Sequence, residues 1–272
     1  MTTTVERPRP GAAKAIVLKD VIVAEFLKMR TVRATYLTLA GALFAVALGT
    51  LVVFVVAGAY DTAPVAEKAT FEPADPTVVV MPFVAFFVGC LGGLASTTEY
   101  GTRSIVGSLV AVPRRGILVA AKVIVVSAVT PAIGVVLAFV SFFSAWAILG
   151  SRPRPFNPWN SVGDAIPSVV ATGVAVLVAA LVALGLGLLL RSTTGTLVTL
   201  GAVLLVIPIF AHFLPSPLGE RVASFLPSDL PAQLTASNDQ YILSPMGVLL
   251  VMLLYVIAAL TAGVVGFKRR DA

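Results

Sequence analysis

Six long stretches of this chain contain no Asp, Glu, Lys or Arg: residues 34–59, 77–98, 123–150, 165–190, 192–210 and 243–267. A helix needs about 20 apolar residues to cross bilayer hydrocarbon, and each of these runs supplies that length or nearly so. Every backbone N–H and C=O must find its partner inside its own segment in lipid, so the runs are read as helices despite a Val content that would favour strands in water. Their Leu, Val and Phe side chains each favour insertion by roughly 0.3 to 0.6 kcal/mol. With flanking residues the spans are placed at 34–59, 77–98, 121–150, 165–190, 192–212 and 243–267, and Pro82, Pro131 and Pro208 mark expected kinks.

Composition agrees. Only 12% of the 272 residues are charged and 58% are hydrophobic, against roughly 25% charged in soluble domains. Little chain is left for a soluble domain. The expected organisation is a cytoplasmic N-terminal segment (1–33) with an amphipathic helix, a six-helix membrane domain (34–267) and a short cytoplasmic tail (268–272). The fold class is therefore all-α membrane protein. Residues 1–33 are too long and too charged for the n-region of a cleaved signal peptide, and no internal repeat is visible.

Orientation follows from alternate loops. One side holds Arg7, Arg9, Lys14, Lys19, Lys28, Arg30 and Arg33, then Arg103, Arg114, Arg115 and Lys122, then Arg191, and finally Lys268, Arg269 and Arg270. The other side holds only Lys68, Arg152, Arg154 and Arg221, among most of the acids. Basic loops stay cytoplasmic, so both termini are expected inside.

Several chemistries lack their residues. No G-x-x-x-x-G-K-[ST] phosphate cradle occurs, the nearest approach being Gly116 to Lys122. His212 is the only histidine, which removes the H-E-x-x-H zinc motif, and there is no G-x-S-x-G elbow for a serine nucleophile. Cys90, the only cysteine, excludes an internal disulfide and a thiolate cluster. Gly89 and Gly93 form a G-x-x-x-G pair suited to close helix packing. Transporters driven by ion gradients carry ionisable groups near the membrane midplane, where a charge costs about 2.5–3.5 kcal/mol and marks function. Charge-free spans point instead to energy supplied from outside the chain.

Two segments have a readable plan. Over residues 16–33, Leu18, Ile22, Phe26 and Met29 share one helical face that Glu25 interrupts, while Lys19, Lys28 and Arg30 lie elsewhere. This predicts a helix in the inner headgroup layer, or one that simply continues into the first span. The second is the longest basic loop, 99–115. There Gly101 can release the second span, Thr102 can cap a short helix and Pro113 can stop it. Arg103, Ser104, Gly107 and Ser108 would share its polar face, the alternative being a solvated loop.

Glu99-Tyr100-Gly101-Thr102, followed by Pro113-Arg114-Arg115 and Ala121-Lys122, resembles the loop between the second and third spans of permease subunits of the ABC-2 type, the membrane half of bacterial ATP-driven exporters. Arg191-Ser192-Thr193-Thr194-Gly195, the turn between spans four and five, is also similar to that family. The resemblance implies an amphipathic elbow helix, six spans and a short coupling helix between helices 2 and 3. It implies a separate ATPase subunit that holds ATP and magnesium, with no cofactor or metal in this chain and no catalytic residue. A second permease chain would complete the pathway, as a homodimer or heterodimer in the bacterial plasma membrane. Nucleic acid is not an expected partner. By the same resemblance Glu99, Tyr100, Gly101, Thr102, Arg103, Ser104, Gly107 and Ser108 form the ATPase-coupling loop. Lys28, Arg30, Arg33, Arg114, Arg115, Lys122, Arg191, Lys268, Arg269 and Arg270 are expected to anchor the inner surface against anionic lipid. The proline-rich loop from about 214 to 242 would be a re-entrant outer gate or a surface loop. A lipid-modifying enzyme of the membrane and a non-transporting scaffold or sensor are the alternative functions.

Overall fold

A computed structural model describes residues 10–101, 104, 107, 108, 112, 114–235 and 242–269, the side chains of 10–17, 77–79 and 212 excepted. Among these residues all regular structure is helical. The order is α1 (Pro10–Thr31), α2 (Arg33–Thr62), α3 (Val65–Lys68), α4 (Pro76–Gly101), α5 (Arg115–Leu149), a 3-10 turn (Val162–Ala165) and α6 (Ile166–Leu190). Then follow α7 (Thr193–Gly201), a π turn (Ala202–Val206), α8 (Ile207–His212), α9 (Leu218–Ala223), α10 (Leu230–Thr235) and α11 (Pro245–Arg269).

Six helical stretches are long and apolar enough to cross a membrane: Arg33–Thr62, Val80–Gly101, Arg115–Leu149, Val162–Leu190, Thr193–Ala211 and Pro245–Arg269. The third begins six residues before the expected start. At 35 residues and 1.5 Å per residue it is about 50 Å long, well beyond the hydrocarbon thickness.

Two helices form the centre. The most apolar windows of α4 and α6 are 72% and 67% buried, against 17–33% for the other four, which therefore form the outer ring. Small residues let the two central helices approach. A Cβ on Gly92 of α4 would collide with the carbonyl of Ala180 in α6. On the other side of α6, a Cβ on Gly263 of α11 would stand 3.0 Å from the Cα of Gly185. The G-x-x-x-G residues Gly89 and Gly93 flank the tighter contact, facing Ala179 and Thr196. Val88, Leu91, Val176, Ala183 and Leu200 fill the core around them.

The prolines act differently from one another. Helices α4 and α5 run through Pro82 and Pro131, whereas the π turn sits immediately before Pro208. Proline has no N–H for the carbonyl four residues back and its ring crowds that carbonyl, so the preceding turn widens.

The end of the bundle opposite the basic loops is closed by aromatic rings and by the ion pairs Asp61–Arg152 and Arg154–Asp164. Tyr60 stacks on Phe156 at 4.1 Å, with Phe71 edge-on to both. Arg152 donates from Nε and Nη2 to the two oxygens of Asp61 at 3.0 and 2.6 Å. At the same end residues 214–235 fold back onto the bundle. Leu230 of α10 is fully buried with Val248 and Met252, against Val174 and Val178 of α6. Val178 lies 12 residues into α6, about 18 Å along its axis. The Gln233 amide donates to the Ser224 carbonyl at 2.9 Å, and the Tyr255 hydroxyl donates to that of Phe225 at 3.1 Å.

Candidate functional site

Four charged side chains meet where α1, α4 and α5 converge at the basic end. Lys122 of α5 donates to Glu25 Oε2 of α1 at 2.6 Å, to Glu99 Oε1 of α4 at 3.0 Å and to the Ala95 carbonyl at 2.6 Å. Lys28 of α1 donates to Glu25 Oε1 at 2.8 Å, Glu99 Oε1 at 2.6 Å and Ser108 Oγ at 3.3 Å. Charges therefore alternate around a closed ring, Glu25–Lys28–Glu99–Lys122. An ammonium group has three N–H donors, and both lysines use all three.

The sequence places these groups by helical register. Leu18, Val21, Ile22 and Met29 seat α1 against α5, with α4 beside it, and Glu25 lies at the centre of that face. The acid that interrupts the apolar stripe is thus the one that fastens the helix. Phe26, expected on the same face, is 44% exposed instead. The α1–α2 junction is fixed by α2 side chains that satisfy the last carbonyls of α1: Thr35 donates to Met29 and Tyr36 to Arg30, at 2.7 and 2.8 Å.

Burial separates the members. Side chains of Glu25, Glu99 and Lys122 are at most 5% exposed, while that of Lys28 is 43% exposed. Burial pulls the Lys28 ammonium down, but hydrogen bonds and charge from Glu25 and Glu99 outweigh it and leave its pKa above the ordinary lysine value. Glu99 Oε2 is buried without a hydrogen-bond partner.

The expected inner-surface anchors divide by environment. Arg30, Arg33, Arg114, Lys268 and Arg269 are exposed. Lys122 is not: it is 2% exposed and faces two carboxylates rather than lipid. Its position seven residues after Arg115 places it about 10 Å along a helix that starts earlier than hydropathy suggests. Arg115 donates to the Phe267 carbonyl at 2.8 Å, joining α5 to the end of α11. Arg191 lies 5.3 Å from the Tyr100 ring centre and adopts φ 54°, the left-handed position that closes α6.

In the 99–115 loop, Glu99 likewise turns inward, while Gly101, Ser104 and Gly107 are exposed and Ser108 is partly covered. Ser108 N–H bonds the Ser104 carbonyl and Val112 N–H bonds that of Ser108, at 3.1 and 2.9 Å, the spacing of helical turns. Thr102, Arg103, Pro113 and Arg270 lie outside the described residues. Glu25 was missed as a site residue by sequence reasoning; its signal was a single acid on an apolar helical face. A groove of about 460 Å³ opens beside the ring, between Asp20, Val21 and Ala24 of α1 and Gly107, Ser108 and Val112 of the loop. The crevice between α4, α6 and the folded-back loop has only about 30 Å³ of free space.

The fold and this site define the class: a multi-pass, all-helical membrane protein with a buried ion-pair ring at its basic end. No protein-family model matches the chain, and no curated protein matches it.

Proposed function

We infer that the chain is the permease subunit of an ATP-driven exporter of the ABC-2 type, lying in the bacterial plasma membrane with both termini in the cytoplasm. The observation that carries this reading is the wiring of the 99–115 loop. Through Ser108 and Lys28 it is bonded to Glu25 and Glu99, and through them to Lys122, so one cytoplasmic loop is tied to the N-terminal helix and two spans. A partner ATPase that pushes on exposed Ser104 and Gly107 would move α1, α4 and α5 together.

In this reading Glu99 transmits force rather than meeting the ATPase. The crevice that α4 and α6 form with residues 227–231 has about 30 Å³ of free space, little more than a water molecule occupies, so in this reading an amphiphilic substrate passes between two permease chains. Two-state rearrangement of packed helices then alternates access between the two sides.

The test is reconstitution with the cognate ATPase. Association, hydrolysis stimulated by the permease and uphill export are expected, and Lys28→Ala should leave association intact while export per ATP falls. Uphill export by the permease alone would reject the proposal, as would a permease that neither binds nor stimulates the ATPase.

A further inference from the structure

Glu72 and Asp75 belong to the stretch between the first two spans, and the fold draws that stretch down the side of α2. Phe71 packs on Tyr60 near the end of α2, and the Ala74 N–H donates to the Phe156 carbonyl at 2.9 Å. Pro76, which opens α4, lies beside Gly49: a Cβ on that glycine would stand 3.8 Å from the Pro76 Cβ and would collide with Val80. Gly49 comes 16 residues after Arg33, about 24 Å along the helix, and bilayer hydrocarbon is about 30 Å thick. The stretch therefore descends to the level of side chains that face lipid, where Leu48, Leu51, Val52 and Val55 are 46%, 56%, 51% and 61% exposed. Between it and α2 lies a pocket of about 190 Å³, walled by Val52, Val53, Val56 and Phe71 and by the two acids, Glu72 and Asp75. Among the described residues no basic side chain lines it. Lys68, Arg152 and Arg154 of this end are engaged elsewhere, over the Tyr60 ring, with Asp61 and with Asp164.

We propose that this pocket binds an amphiphilic organic cation drawn from the leaflet at this end of the bundle, its ammonium group beside Glu72 and Asp75 and its apolar portion against Val52, Val53 and Val56. Three observations select that occupant. The charges that line the pocket are of one sign, so a cation complements them, whereas the phosphate of a zwitterionic phospholipid would meet two carboxylates and no counter-charge. The acids stand beside a lipid-facing helix, and ionisable groups at such depth are costly and mark functional sites. The volume equals that of about six water molecules, which admits an ammonium head and the first carbons of a chain, and the remainder can lie along the exposed side chains of α2. The Phe71 ring adds a wall of the kind that attracts ammonium ions. The proposal concerns binding alone; it needs no ATPase and stands apart from the exporter reading.

The test is equilibrium binding of radiolabelled decyltrimethylammonium to the purified full-length chain in maltoside detergent. Saturable binding is expected, displaced by unlabelled decyltrimethylammonium, about tenfold less effectively by decylphosphocholine and not by decyl sulfate. Glu72→Gln/Asp75→Asn should weaken it about tenfold, since each exposed charge pair contributes up to roughly fivefold, and high salt should weaken it in the parent. Val52→Trp keeps both acids and fills the apolar end at a position already 51% exposed, so it should abolish binding. Elution profile and unfolding temperature should match the parent in both variants. Equal displacement by decylphosphocholine would overturn the choice of a cation over a zwitterionic lipid. Uptake that does not saturate, or one affinity shared by the parent and both variants, would overturn the site.

Discussion

Lys122 and Glu25 lie 97 residues apart in sequence, yet their side chains meet at 2.6 Å with both almost wholly buried. A charge removed from water is tolerated when its partner and remaining donors are all satisfied, and it becomes destabilising when the partner is taken away. The ring therefore behaves as one unit.

Lys122→Met should accordingly destabilise the protein by about 3–5 kcal/mol, because Glu25 and Glu99 lose their buried counter-charge. Thermal unfolding in detergent measures this. Adding Glu25→Leu and Glu99→Leu with Lys28→Leu should recover much of the loss, since an apolar replacement leaves no buried charge.

The Asp61–Arg152 pair provides the contrast. Its geometry is bidentate, but the Asp61 side chain is 52% exposed, and solvent screens such pairs. Asp61→Asn is expected to move the unfolding temperature far less than Lys122→Met, with the small effect vanishing at high salt.

Gly92→Ala should be costly for a different reason. The added methyl meets backbone of α6, which cannot rotate away, so roughly 1–3 kcal/mol is expected from overpacking. Gly58→Ala is the control: nothing lies within 4 Å of its Cβ position, and helix propensity predicts a gain of up to about 1 kcal/mol.

Lys28 has a pH signature. Its pKa is raised above 10.5 by Glu25 and Glu99, after burial has lowered it, so the folded chain binds that proton more tightly than the unfolded chain. The stabilisation is full below pH 10.5 and is lost as pH rises through the raised value. Unfolding followed from pH 9 to 12 should show an alkaline decline that is shallower in Lys28→Gln; equal slopes would contradict the pairing.

Arg191 sits in a backbone conformation that costs an L-residue about 1–2 kcal/mol. Arg191→Gly removes that cost and also the Tyr100 contact, worth about 0.5–2 kcal/mol, so stability should change little. Arg191→Ala keeps the cost and loses the contact, and it should be the less stable of the two in the same unfolding assay.

Much of the architecture was legible from charge-free runs, because the cost of an unpaired backbone group in lipid leaves helices as the only choice for a run of that length. The N-terminal helix was legible too, but its facing was not. The stripe Leu18–Ile22–Phe26–Met29 has Phe26 where the buried face has Val21, and Glu25 looked like a flaw in it. Lys122 was read as a boundary because hydropathy marks where charge begins, whereas the helix itself starts at Arg115 and carries the lysine inward. Periodicity within a segment says nothing about which distant carboxylate will neutralise a buried ammonium.

The sequence alone determined that the chain makes six helices able to cross a membrane and that basic residues collect at one end, since both depend on residue-by-residue transfer from water to lipid. The tertiary structure decided that α4 and α6 are central, that Gly92 makes the tightest backbone contact beside the close approaches of the expected Gly89 and Gly93, and that Glu25, Lys28, Glu99 and Lys122 close into a ring. Those are properties of surfaces brought together, set by shape and paired charge across segments far apart in the chain.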